Sequence, residues 1–183
     1  MTYTYSSSGE AAALLGGHAV QVDLSQSAAV KACVAEHGPF AIVVNTAAVS
    51  QPGECEKHPD VARCASQSCP AHRFSRPVSS RHCRAVNIPS ALVGALQEQQ
   101  RATGVAAFII HISTDQVYDG SRALWTEDCV AEPVNVYGRT KLEAEALLAR
   151  EWPNHTCLRS SIIYGPQPTV PVSRTLLLQW MVR

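Results

Sequence analysis

The residues with the clearest chemical potential in this chain are a tyrosine and a lysine four positions apart, Tyr137 and Lys141. Residues four apart lie on one face of a helix, so the phenol and the ammonium can point into the same cleft. A free tyrosine has a pKa of about 10, and a fixed cation beside it favours the phenolate. We therefore predict that Lys141 makes Tyr137 a proton donor or acceptor near neutral pH. The alternative is an exposed helical pair, with Lys141 bound to Glu145 one turn later.

A second element of this arrangement is Ser113-Thr114-Asp115, which follows an apolar run that reads as a buried strand. The Thr114 hydroxyl can hydrogen-bond the same substrate oxygen as Tyr137 and orient it. Together these groups suit carbonyl reduction, in which a hydride arrives from a nicotinamide and the developing alkoxide takes a proton from the tyrosine. Asp115 is either a substrate contact or a structural cap of the turn.

The elements that must position these residues alternate between short apolar strands and helices. Strands are predicted at Tyr3–Ser6, Ala19–Val22, Ala41–Asn45, Ala106–Ile112 and Thr156–Tyr164, and helices at Ser25–Glu36, Ser90–Arg101 and Val136–Glu151. This order predicts an α/β fold, a doubly wound parallel sheet with helices on both sides. Ligands of such sheets gather at the carboxyl ends of the strands, where polar residues follow the apolar runs: Asp23, Asn45, Ser113 and Tyr164.

Composition excludes several classes of function. The 183 residues include 15 basic and 15 acidic side chains, and this balance argues against a nucleic-acid binder or a membrane-surface polycation. The longest strictly apolar run, Val105–Ile110, is far shorter than the roughly 20 residues of a membrane-spanning helix. The first ten residues lack the pattern of a secretory signal, and the seven cysteines are an odd number. We therefore expect free thiols and a cytoplasmic location.

Residues 64–84 break the alternation of strands and helices. They hold three cysteines, two histidines and four arginines without apolar periodicity, and we predict a disordered insertion within one domain of residues 1–183. The cysteines and histidines of this stretch are residue types that bind zinc, but their spacing matches no standard zinc finger, so we predict no metal site. The candidate ligands are Cys64, Cys69, His72, His82 and Cys83.

Two charged or titratable residues lie inside predicted strands. His111 is expected to be a satisfied interior histidine, since the run around it is apolar. Arg159 is either a salt-bridge partner inside the sheet or a contact on the cofactor side.

Two longer segments carry a family resemblance. Residues 111–120, HISTDQVYDG, and residues 133–145, PVNVYGRTKLEAE, resemble the extended short-chain dehydrogenase/reductase family, in its dTDP-4-dehydrorhamnose reductase-like branch. The regulatory beta subunit of methionine adenosyltransferase belongs to the same branch. Residues 43–48, 87–90 and 158–165 match in support.

The resemblance implies an NAD(P)-dependent reductase of a nucleotide-linked 4-keto-sugar. In that family Thr114, Tyr137 and Lys141 take the catalytic positions, and the lysine also bonds the nicotinamide ribose. The implied cofactor contacts are Asp23 at the adenine edge, Asn45, Ala47 and Ala48 near the ribose and pyrophosphate, and Ser113 and Tyr164 at the nicotinamide end. The alternative is a non-catalytic NAD(P)-binding regulatory subunit with an adenosyltransferase partner; a homodimer is also open.

The sequence departs from this family at both ends. The family begins with a strand and a G-x-x-G-x-x-G phosphate loop, whereas this sequence begins at the family's second strand, and Gly16-Gly17 precedes a strand instead of a helix. It stops at Arg183, where the family continues into a substrate-binding lobe. We therefore expect an incomplete Rossmann domain, for which an inactive fragment is a third possibility. Ser6-Ser7-Ser8 carries no acid after its strand, which favours NADP over NAD.

Overall fold

The structure is a computed structural model, and it describes residues 2–5, 17–24, 26–47, 52–57, 59 and 87–162. The strands in these ranges are β1 (Thr2–Tyr5), β2 (His18–Gln21), β3 (Ile42–Asn45), β4 (Phe108–Thr114) and β5 (His155–Ser160). The helices are α1 (Ser27–His37), α2 (Pro52–Lys57), α3 (Asn87–Thr103) and α4 (Val136–Glu151), with a 3₁₀ helix at Asp115–Val117. In this part of the chain no helix combines the length and the apolar character needed to cross a membrane.

All strand pairings among these residues are parallel. β1 pairs with β2, and β4 lies between β3 and β5 in a second sheet. The register places Val43 beside Ile109 and His111 beside Cys157. The predicted α/β class and parallel pairing are therefore confirmed, and the described strands form two sheets instead of one.

Most element boundaries differ from the sequence prediction by a few residues, and both ends of β4 do so for a local reason. β4 begins at Phe108 instead of Ala106, because the Ala107 carbonyl accepts from the side chains of Trp152 and Asn154, each at 3.0 Å. It continues to Thr114 because Ser113 and Thr114 still pair with β5. The helix α4 has the predicted bounds, and Asn135 caps its first turn with a side-chain oxygen.

One face of the three-stranded sheet is covered by helices. Ile109 and the partly buried Val43 share a core with apolar residues of α1, α3 and α4: Val30, Val34, Ala91, Val93, Ala95, Leu96, Leu147 and Leu148. Side chains alternate along a strand, so Ile42 and Val44 lie on the other face. They are 63% and 56% exposed. Helices were predicted on both faces of the sheet; among the described residues, they cover one face.

We expect Leu148→Ala to lower the free energy of unfolding by about 2–5 kcal/mol, because it leaves a cavity beneath α4. Leu148 is fully buried, whereas Val130 is 74% exposed. Val130→Ala is therefore the matched control and should change stability by less than about 0.5 kcal/mol in urea unfolding. Equal effects of the two substitutions would contradict the core described above.

Candidate active site

Thr114 lies at the end of β4, where the strand turns into the 3₁₀ helix. Its Oγ1 accepts a hydrogen bond from the Gln116 backbone N–H at 3.2 Å and donates to Asp115 Oδ1 at 3.3 Å. The threonine side chain therefore caps the start of this turn, and the Asp115 backbone carbonyl accepts from the Tyr118 N–H at its end. The second bond is long for an O–H donor, so a substrate oxygen can take that hydrogen.

The first turn of α4 is held against the same 3₁₀ helix. Asn135 Oδ1 accepts from the Gly138 N–H at 2.7 Å, and Asn135 Nδ2 donates to Gln116 Oε1 at 2.8 Å. From the other side, the Val136 N–H donates to Glu56 Oε1 at 2.5 Å. These bonds bring the helix that carries Tyr137 and Lys141 beside the strand end that carries Thr114.

Gly138 makes this close approach possible. A Cβ added at Gly138 would lie 2.1 Å from the Gln116 carbonyl oxygen, far inside van der Waals contact. The second residue of the Y-x-x-x-K motif is thus a glycine because the backbone of the 3₁₀ helix occupies the space of a side chain.

Lys141 is a buried lysine with a defined partner. It is 2% exposed, and its Nζ donates to the Ile112 carbonyl oxygen of β4 at 2.7 Å. Burial lowers the pKa of Lys141 to about 8, while Glu145 and Cys157 oppose this shift. The alternative of an exposed helical pair is therefore wrong. An ammonium has three hydrogens, so two further donors remain for a ligand beside β4.

Tyr137 is half-buried and packs against Cys55 and Val136. Burial raises the pKa of its phenol, and Cys55 and Asp115 raise it further. The predicted lowering of this pKa by Lys141 is thus wrong here, because loss of hydration and nearby acidic groups dominate. The phenol is protonated at neutral pH, which is the form that donates a proton.

A partly buried ion pair ties α4 to β5 one turn after Lys141. Arg159 Nη2 donates to Glu145 Oε2 at 2.7 Å, and Arg159 Nε lies 3.2 Å from both carboxylate oxygens. Ser113 Oγ also donates to Glu145. Of the two readings of Arg159, the salt-bridge partner is confirmed, and the pKa of its guanidinium is raised by Glu145.

The same guanidinium reaches the loop after the 3₁₀ helix. Arg159 Nη1 donates to the Tyr118 hydroxyl at 2.6 Å, and the Tyr118 ring stacks on Trp125 with centroids 4.9 Å apart. Neither Tyr118 nor Glu145 was predicted from the sequence to anchor this region. For Glu145, the sequence signal was its position on α4, because a residue one turn after Lys141 lies on the same face of the helix.

His111 is fully buried in β4, so the predicted interior position is confirmed. The prediction that it is satisfied holds for Nδ1 alone, because its Nε2 has no hydrogen-bond partner among the described residues. Its Nδ1 lies 3.0 Å from Asn45 Nδ2 across the β3–β4 pair. Burial, followed by the charge of Lys141, lowers the pKa of His111 to about 4. Asn45 Oδ1 accepts from the Ala47 N–H at 3.2 Å, so one amide side chain joins two strands and shapes the turn after β3.

Asn45 and Ala47 also line a cavity of about 370 Å³, together with residues of β1, α1 and α3. Thr114, Tyr137 and Lys141 are not among the described residues of this lining. Asp23 follows β2, where its backbone oxygen accepts from Gln26 at 3.0 Å.

The remaining predicted positions lie outside the described residues. These are Ala48, Tyr164 and the stretch 64–84 with its cysteines and histidines. Within the described ranges no group of three or more His, Cys, Asp or Glu side chains can hold a metal ion.

Residues 69–178 match the family described as the RmlD substrate binding domain. This match covers more than half of the chain, so the chain belongs to that family. The matched segment contains β4, α4 and β5, which carry Thr114, Tyr137 and Lys141.

The similar proteins include a regulatory subunit and a reductase. Methionine adenosyltransferase 2 subunit beta of Xenopus tropicalis is 27% identical over 157 residues, which cover 86% of this chain and 39% of the relative. The dTDP-4-dehydrorhamnose reductase of Sinorhizobium fredii is 44% identical over 67 residues, which cover 36% of this chain and 23% of that enzyme. The chain thus spans less than half the length of either relative.

Solved structures show the same fold. A dTDP-4-dehydrorhamnose reductase from Clostridium acetobutylicum superposes with a TM-score of 0.66 at 23% identity, covering 100% of this chain and 58% of that one. The dTDP-4-dehydrorhamnose reductase of Bacillus anthracis in complex with NADP has a TM-score of 0.62 at 22% identity, covering 83% of this chain and 47% of that one. The Rossmann-like arrangement of the described elements is therefore shown.

We expect Gly138→Ala to destabilise the protein by about 1–3 kcal/mol in urea unfolding, since the new methyl group meets the Gln116 carbonyl. Gly94→Ala is the matched control, because Gly94 also lies in a helix and nothing lies within 4 Å of an added Cβ. That substitution should stabilise by about 0.5–1 kcal/mol. Stabilisation by both would show that α4 does not lie this close to the 3₁₀ helix.

We expect the buried neutral His111 to weaken folding in acid. The unfolded chain takes up a proton near the ordinary pKa of 6.5, whereas the folded chain resists protonation down to about pH 4. Stability is thus fully present above pH 6.5 and falls by about 3 kcal/mol as the pH drops to 4. His111→Asn keeps an acceptor for Asn45 and should flatten this part of the curve of unfolding free energy against pH; an unchanged slope would refute the assignment.

Proposed function

We propose that this chain is the nucleotide-binding part of an NAD(P)-dependent reductase that acts on a carbonyl group. One observation carries the proposal: the β4–α4 junction holds Thr114, Tyr137 and Lys141 beside one strand end. The Asn135–Gln116 bond and the Lys141–Ile112 bond fix that junction from two sides. A hydroxyl, a protonated phenol and an ammonium are the groups that a carbonyl reduction uses.

The hydrogen-bond donors of this site suit the nicotinamide end of a dinucleotide. Lys141 keeps two ammonium hydrogens after its bond to Ile112, and these match ribose hydroxyls. Asn45 ends β3 and Ala47 lies in the turn after it, and the described residues of the cavity wall that they share carry no charged side chain. A reduced nicotinamide supplies a hydride when it is bound. The NADP complex of the Bacillus anthracis enzyme supports this cofactor class, and the serines after β1 favour NADP.

Tyr137 then serves as the acid. Its raised pKa keeps the proton on the phenol until negative charge develops on the carbonyl oxygen. As the carbonyl carbon gains the hydride, the oxygen accepts the electron pair of the broken π bond and takes the Tyr137 proton. The Thr114 hydroxyl donates a hydrogen bond to the same oxygen by releasing its 3.3 Å contact with Asp115.

The substrate class that fits is a nucleotide-linked 4-keto-sugar. The support is family membership and the local 44% identity to a dTDP-4-dehydrorhamnose reductase. The identity of the sugar is a property of the whole protein, of which this chain matches a part.

A second candidate is a regulatory subunit that holds a dinucleotide without turning it over. It is favoured by the beta subunit of methionine adenosyltransferase 2, whose similarity spans 86% of this chain. Binding of NADPH without turnover, together with complex formation with an adenosyltransferase catalytic subunit, would support this candidate over the reductase.

We expect Tyr137→Phe to lower kcat for reduction of dTDP-4-dehydrorhamnose by at least about 100-fold, because the acid is removed. NADPH binding, measured by fluorescence titration, should change little, since the phenol does not hold the cofactor in this mechanism. Val130→Ala on the exposed loop is the control and should keep both values. Full turnover by Tyr137→Phe would end the proposed role of the tyrosine.

A further inference from the structure

Glu145 lies where the three elements that carry the candidate site meet. It is 8% exposed and lies on α4, one turn after Lys141. The Ser113 hydroxyl of β4 donates to its carboxylate, and Arg159 of β5 donates to it at 2.7 Å. Ser113 directly precedes Thr114. One carboxylate therefore contacts the strand end that carries Thr114 and shares a helix face with Lys141.

Lys141 needs a negative charge nearby if it is to remain an ammonium. It is 2% exposed, and the acceptor of its Nζ hydrogen bond is the Ile112 carbonyl, which carries no net charge. Loss of hydration favours the neutral amine, and this burial is the largest cause that lowers the pKa of Lys141 to about 8. A nearby anion would oppose this effect.

The titratable neighbours of this ammonium lie on three elements. On β4, His111 is neutral at pH 7 because its pKa is lowered to about 4. On β5, burial raises the pKa of Cys157 to about 11, so the thiol is neutral as well. The Tyr137 phenol, one turn earlier on α4, has a raised pKa and keeps its proton. Among these described neighbours, Glu145 is thus the one that supplies negative charge, and it is the largest cause that opposes burial.

The Arg159 guanidinium keeps the Glu145 carboxylate ionised. Arg159 Nε lies 3.2 Å from both carboxylate oxygens, and Nη2 donates to Oε2 at 2.7 Å. A carboxylate with so little exposure and no cation beside it would take up a proton. The ion pair therefore preserves, close to Lys141, a charge that burial alone would remove.

We propose that Glu145 is a positioning residue of the candidate site: its charge keeps the Lys141 side chain an ammonium, and its bond to Ser113 holds the strand end beside Thr114. The inference rests on the proposed function for its effect on a bound dinucleotide, because Lys141 offers its remaining hydrogens to that ligand. The charge that Glu145 supplies to Lys141 can be measured without any ligand.

The test follows the protonation of Lys141 directly. The chain has three lysines, Lys31, Lys57 and Lys141, so lysine labelled with ¹³C at Cε gives three signals that can be titrated against pH by NMR. Loss of one signal in Lys141→Arg identifies it. The midpoint should be about 8 in the unaltered chain. In Glu145→Gln it should fall to about 7 or lower, since burial is then unopposed by the carboxylate.

The direction of the change separates this role from a merely structural one. If Glu145 only packed α4 against the sheet, its loss would admit water, and the pKa of Lys141 would rise toward the ordinary value of 10.5. Such a rise, or an unchanged midpoint, would overturn the proposal. Glu145→Asp keeps the charge and should hold the midpoint near that of the unaltered chain.

A matched control and a second variant protect the result. Glu143→Gln removes the same charge from the same helix on a different face, and it should leave the Lys141 midpoint unchanged. An equal fall in Glu143→Gln would contradict the proposal. If Glu145→Gln does not fold in urea-unfolding controls, the double variant Glu145→Gln with Arg159→Gln leaves no unpaired charge in that pair and should show the same fall.

NADPH titration then separates this inference from the proposed function. Affinity for NADPH should decrease as the pH rises through the Lys141 midpoint, because the ammonium that meets the ribose loses its charge. In Glu145→Gln the decrease should occur at the lower midpoint seen by NMR. Identical pH profiles in the two proteins would refute the role of Glu145. A lowered NMR midpoint without NADPH binding in either protein would end the proposed function and still support the link from Glu145 to Lys141.

Discussion

The placement of α4 against the end of β4 is the constraint on which the candidate site depends. The hydrogen bonds of Asn135 and the bare backbone of Gly138 allow the first turn of the helix to touch the 3₁₀ helix. The bond of Lys141 to the Ile112 carbonyl fixes the next turn. Because each contact is made by a different group, rotation of α4 about its axis would break several at once. The tyrosine, lysine and threonine are thus positioned by backbone packing as much as by their own side chains.

The buried charges beneath this junction are stable because each is paired or hydrogen-bonded. Removing an ion from water costs several kcal/mol unless a partner compensates. Glu145 is compensated by Arg159 and Ser113, and Lys141 by a carbonyl oxygen. Arg159 in turn holds Tyr118, which stacks on Trp125. The loop after β4 is therefore linked to the same ion pair that orders the interior of α4, so the walls of the site and its interior are parts of one polar network.

The two sheets place different chemistry at different edges. The polar network lies between α4 and the strands β4 and β5, where the groups suited to proton donation are found. The cavity of about 370 Å³ lies between β1 and β3, and most of the described residues that line it are apolar. Asn45 links the two regions, since it lines this cavity and bonds His111 of β4.

The sequence by itself determined the α/β class, the bounds of α4 and the interior position of His111, because these follow from local periodicity, capping and hydrophobicity. Y-x-x-x-K also predicted correctly that Tyr137 and Lys141 share a helix near the end of β4. Tertiary structure decided the electrostatics: burial raised the pKa of Tyr137, and Lys141 turned to the Ile112 carbonyl. It also decided that Thr114 caps its turn and that Glu145 takes Arg159 as its partner. A pKa and a choice of partner depend on groups distant in sequence and on how much water remains, and a linear spacing carries no information about either.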